Sequence, residues 1–122
     1  MSFCFASPAK SNDKKQIRLA VFNVSMEASN YVERGQEPQG NELSKHLQSG
    51  QHSQIKNIAE IIQRIRPDII LLNEFDYSSN APQDIAWFIE NYLNQAHAGV
   101  DSIDYPYAYS APVNTGVDSG LD

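Results

Sequence analysis

A single cysteine, Cys4, stands among 122 residues, so no disulfide framework can form within the chain. Long apolar runs are missing as well. None approaches the ~20 residues that a helix needs to cross a bilayer, so no membrane span is expected. Basic side chains are scarce: nine Lys and Arg face fifteen Asp and Glu, a net charge of −6. An acidic surface repels polyanions, which disfavours loose electrostatic binding of DNA or RNA. A cation held in a cleft can still hold a phosphate, so nucleic acid stays open as a partner without being favoured by charge. The three histidines, His46, His52 and His97, include no pair at the i, i+4 spacing of a helical zinc site, and they are expected to be exposed polar side chains. Neither a Gly-rich phosphate loop nor a Gly-flanked nucleophilic Ser is present, and Cys4 lacks a base that would activate it.

What is there describes a globular chain. The apolar share of 41% and charged share of 20% suit one domain or part of one, long enough to bury about two-thirds of its unfolded surface. Residues 1–16 read as a leader. Within "MSFCFASPAKS", small and apolar residues run from Ser2 to Ala6, and Ala6-Ser7 suits a signal-peptidase cut. The stretch is similar to the tail of a secretory signal, which points to the periplasm or beyond. As an arbitrary N-terminus, it leaves the chain in the cytoplasm.

From residue 17 the pattern is α/β. Ile17 to Val24, "IRLAVFNV", is apolar on both parities apart from Arg18 until Asn23, as expected of a strand covered on both faces. Residues 25–50 are polar and read as a long loop with a short helix around Asn41 to Leu47; loops of this length often line sites. From Ser53 the period turns helical: Ile55, Ile58, Ile62 and Ile65 form one apolar stripe. Pro67 stops that helix, and a second strand follows from Ile69 to Asn73. Strand, crossover helix and strand form a parallel, right-handed unit in nearly all proteins. Pro82 suits the first turn of another helix, in which Trp87, Phe88 and Tyr92 are spaced as core contacts. Tyr105 to Ser110, "YPYAYS", alternates as a third strand, with Tyr105, Tyr107 and Tyr109 packing on one face. Two or three strands leave open edges, and the chain stops in a polar loop, so 17–122 reads as the N-terminal portion of a larger domain.

Chemistry is expected at the strand ends. Parallel neighbours open their carboxyl ends onto one rim, where α/β proteins place ligands. Asn23 lies there on the first strand and Glu74 on the second. Glu74 shares parity with Ile70 and Leu72 and is expected to face the core. An unpaired carboxylate there costs several kcal/mol, and a cation or a basic partner removes that cost. Mg²⁺, which keeps most of its waters and takes few protein ligands, suits one acid and one amide oxygen; Mn²⁺ fits as well. From spacing alone, Glu74 and Asn73 closing a turn remains an open alternative. Asp76 reads as a turn residue, with a second metal role as its alternative. Asp118 and Asp122 among glycines are a poor match to a calcium loop.

At these residues the sequence resembles the endonuclease/exonuclease/phosphatase superfamily, the DNase I-like class. "LAVFNV" is similar to that family's first strand with its Asn-Val ending. "IAEIIQRIRPDIILLNEFD" is similar to its helix, its Pro-Asp-Ile step and its second strand ending in a metal-binding Glu. The likeness covers about Ile17 to Asp76, and "YPYAYSAPVNTG" is in keeping with exported bacterial members. It implies a four-layer α/β sandwich of two sheets flanked by helices, hydrolysing phosphoesters with a divalent metal. It further implies that Glu74 binds the metal and that Asn23 supports the metal or the scissile phosphate. The family's Asp-x-Asn segment and terminal Asp-His pair are absent, so these residues alone are expected to be inactive. The alternative is a non-catalytic binding module on the same fold.

Overall fold

Eight residues, Leu19–Met26, form strand β1, and seven, Ile69–Phe75, form β2. In the computed structural model, which describes residues 15–112 and 120, the two run parallel. Leu19 lies against Ile69, Val21 against Leu71 and Asn23 against Asn73, and the register then shifts before Met26 meets Phe75. Between the strands come a 3₁₀ turn (Ala28–Tyr31) and helices α1 (Glu42–Ser49) and α2 (Ser53–Ile65). After β2 comes α3 (Ala81–Phe88), which ends in a π turn over Ile89–Leu93. The described fold is therefore mixed α/β, a two-strand parallel sheet with three α-helices. None of those helices is long and apolar enough to cross a membrane. Most of the leader, with Cys4, lies outside the described residues, as do Asp118 and Asp122.

α2 is the crossover element that the isoleucine spacing predicts, although Ile65, expected in the stripe, is 49% exposed at its end. Ile55, Ile58, Ala59 and Ile62 are buried in one core with Val24 and Met26 of β1, Leu43 and Leu47 of α1, and Phe88, Tyr92 and Leu93. Burying an aliphatic side chain of this size stabilises by about 1.5–3 kcal/mol, so the stripe holds the helix to the sheet. Its end is well defined. Arg66 adopts a left-handed backbone, φ +51°, and its N–H donates to the Ile62 carbonyl at 2.8 Å, after which Pro67 prevents another turn. Gln63, fully buried, donates from Nε2 to the carbonyls of Leu93 (3.0 Å) and Gln95 (2.6 Å), tying α2 to the end of the α3 segment.

Two expectations need correction. The strands are covered on one face only among the described residues. Phe22, Ile70 and Leu72 pack on the core, while Leu19, Val21, Ile69 and Leu71 are 59–70% exposed on the other face. Apolar residues on both parities thus leave a bare apolar sheet face here. "YPYAYS" forms no strand. Tyr105 is part-buried and its hydroxyl donates to the Pro67 carbonyl at 2.8 Å, whereas Tyr107 and Tyr109 are almost fully exposed. A strand needs a neighbouring edge to complete its hydrogen bonds, and this segment finds none among the described residues.

Candidate metal site at the strand ends

The register that pairs Asn23 with Asn73 brings the two expected site residues to one rim. Strand spacing and the Cα step together put the Cα atoms of Asn23 and Glu74 on the order of 6 Å apart. Asn23, Asn73 and Glu74 are all exposed there.

The backbone at this rim is unusual on both strands. Ser25 has φ +51° and Glu74 has φ +58°. A left-handed conformation costs a residue with a Cβ about 1–2 kcal/mol, and neither position is glycine. The other two non-glycine cases among the described residues are Arg66, which caps α2, and Ala98. Ser25 is held by its neighbours. Asn23 Oδ1 accepts the Ser25 N–H at 3.0 Å, closing a local turn. The Ser25 carbonyl accepts from Asn30 Nδ2 (2.9 Å) and Gln54 Nε2 (3.0 Å), and Tyr31 donates its hydroxyl to Gln54 Oε1 at 2.9 Å. The start of α2 and the 3₁₀ turn therefore fix the loop that orients Asn23.

Glu74 has no comparable support. Among the described residues its carboxylate has no hydrogen bond and no ion pair; the one side-chain salt bridge joins Arg64 to Glu60 within α2. The expected core-facing direction is not met, because the left-handed step breaks the alternation that Ile70 and Leu72 follow. The cost of a buried charge therefore does not apply to this acid. It stands exposed at the rim, with no Lys or Arg among the described residues engaging it. Asp76, half-buried, donates its backbone N–H to the Met26 carbonyl of β1 at 3.2 Å, a bond between the strands just past the end of β2 and not the turn expected of it.

Among the described residues, no three or more His, Cys, Asp or Glu side chains gather as a ligand set. The rim offers one acid and amide oxygens, a donor set that fits a largely hydrated hard cation and not a closed protein cage.

The structure also joins residues that spacing kept apart. His46 in α1 and His52 before α2 have ring centroids 4.4 Å apart, and Tyr31 lies 5.0 and 5.2 Å from them. Both histidines are partly buried, contrary to the expected exposed side chains. Buried Tyr92 fixes their backbones: its hydroxyl donates to the His46 carbonyl at 2.5 Å and accepts the His52 N–H at 3.1 Å. Burial, with His52 and Lys45 nearby, pulls the His46 pKa below its ordinary 6.5. Burial also pushes the Tyr31 hydroxyl up to about 12. His97 is separate, its Nε2 lying 2.7 Å from the Tyr92 carbonyl. A Gly that reverses the chain between two helical patterns was the available signal, since Gly50 at φ +65° folds His52 back beside His46.

No family model matches the chain, nor does any curated protein or solved structure.

Proposed function

We propose that this chain is the N-terminal portion of a divalent-metal-dependent phosphoester hydrolase built on the DNase I-like four-layer sandwich. The observation that carries the reading is the rim itself: an unpaired, exposed carboxylate held in a strained backbone beside Asn23, at the carboxyl ends of two parallel strands. Non-glycine residues in sparsely populated conformations cluster at functional sites. Glu74 would bind Mg²⁺ or Mn²⁺ directly, and Asn23 would support the ion or a phosphate oxygen. The metal, when bound, polarises the phosphoryl group and steadies the leaving oxygen.

The chain's own residues supply position. Gln54, Asn30 and Tyr31 hold Ser25, and Ser25 holds the Asn23 amide. The bare sheet face of Leu19, Val21, Ile69 and Leu71 suits the packing of further chain from the same domain. The substrate is a phosphoester, and the acidic surface favours small ones over long nucleic acids. The rival reading is a non-catalytic binding module on the same fold: a continuing coding sequence without Asp-x-Asn and Asp-His would supply no general base near the ion and would favour it.

Turnover of bis(p-nitrophenyl) phosphate with Mg²⁺ or Mn²⁺ separates the two. These 122 residues alone are expected to be inactive. The protein read onward through its own coding sequence is expected to turn over with metal and to lose about two orders of magnitude in the Glu74→Gln variant, the loss typical of one removed transition-state stabiliser. Equal activity in both forms removes Glu74 from the mechanism, and no activity in either supports the binding module.

A further inference from the structure

We propose that His46 and His52 form a second metal site, distinct from the strand-end rim, that takes a borderline divalent ion such as Zn²⁺ or Ni²⁺. Imidazole nitrogen suits such ions, whereas Mg²⁺ prefers oxygen. Three observations converge on the pair.

The first is proximity. The two rings are tilted by 57° with centroids 4.4 Å apart, so both imidazoles are within reach of one small volume. The second is an orphaned atom. His52 Nδ1 is closed off from solvent and has no hydrogen-bond partner among the described residues. A buried ring nitrogen with neither a donor nor an acceptor beside it is unsatisfied in either tautomer, and a coordinated cation relieves that state. The third is preorganisation. Tyr92, fully buried, bonds the backbone of both residues through one hydroxyl, so the pair is assembled before any ion arrives.

Tyr31 is a wall of this site and not a ligand, because its hydroxyl is spent on Gln54 Oε1 and keeps its proton. Through Gln54, which also bonds the Ser25 carbonyl, the site touches the loop that orients Asn23. The proposal does not depend on the hydrolase reading, since it concerns other residues and another class of ion.

The test is calorimetric titration of Zn²⁺, and separately Ni²⁺, into the chain carrying Cys4→Ser, which removes the only thiol. One ion per chain is expected, retained in excess Mg²⁺. Loss of a group that merely supports a metal ligand costs about 10–100-fold in affinity, so His46→Ala and His52→Ala should each weaken binding at least about tenfold. His97→Ala should leave it unchanged. Imidazole NMR signals of the unsubstituted chain give a second readout that does not depend on variants folding: Zn²⁺ should shift both His46 and His52 and spare His97. Absence of binding, binding unchanged in either alanine variant, or shifts confined to His97 would overturn the site.

Discussion

Replacing Glu74 by glycine separates a strained functional acid from a structural one. At φ +58° the glutamate backbone costs about 1–2 kcal/mol, which glycine removes because it has no Cβ. Glycine gives back about 0.5–1 kcal/mol through the extra freedom of the unfolded chain. The carboxylate is exposed and unpaired among the described residues, so its removal breaks no contact. The net expectation is a gain of about 0–1.5 kcal/mol. For a domain of 60–100 residues, 1 kcal/mol moves Tm by about 4–8 °C, so the variant should melt up to about 10 °C higher. The comparison is Glu74→Gln, which keeps the backbone cost and loses the charge; it should melt with the parent when metal is absent. Thermal melts by circular dichroism, with and without Mg²⁺ at a hundredfold excess over its Kd, complete the test. The parent should then gain about 2.7 kcal/mol from the bound ion and both variants almost nothing. Destabilisation of the glycine variant by more than about 1 kcal/mol without metal would refute the reasoning, because the acid would then be a structural cap.

Two further outcomes follow from the region around His46. Tyr92→Phe removes the hydroxyl that joins the His46 carbonyl to the His52 N–H, and it should cost about 1–3 kcal/mol in urea denaturation, with faster exchange of the His52 amide. The pH dependence has a definite sign. The folded His46 has a lowered pKa, chiefly because burial disfavours its charged form, so the fold prefers neutral imidazole. The stability this contributes is fully present above the ordinary value of 6.5 and is lost as pH falls through the lower folded value. Melts of the parent should therefore decline more steeply than melts of His46→Gln as pH falls from about 6.5 to the lower folded value, and run parallel below it; parallel declines throughout would contradict the assignment.

The strand–helix–strand unit was legible because its signals are local and repeated. Ile55, Ile58 and Ile62 mark one helix face, Pro67 marks its end, and the run from Ile69 has the strand composition that pairs it with β1. The meeting of Asn23 and Glu74 at one rim followed from parallel pairing alone. The direction of Glu74 did not, because alternation assumes an unbroken extended backbone, and nothing in a glutamate announces a left-handed step as a glycine would. The histidine pair was hidden for a different reason. Its members belong to different elements, and only the reversal at Gly50 and the Tyr92 hydroxyl, forty residues further on, bring them together. "YPYAYS" carries strand composition, yet composition cannot supply the neighbouring edge that makes a strand.

Paramagnetic broadening of backbone amide signals by Mn²⁺ tests the central claim most directly. At substoichiometric Mn²⁺, signals of Asn23, Ser25, Asn73, Glu74 and Phe75 should vanish first, and they should persist in Glu74→Gln. Broadening spread over the acidic surface, or centred on the rim but unchanged in that variant, would contradict it.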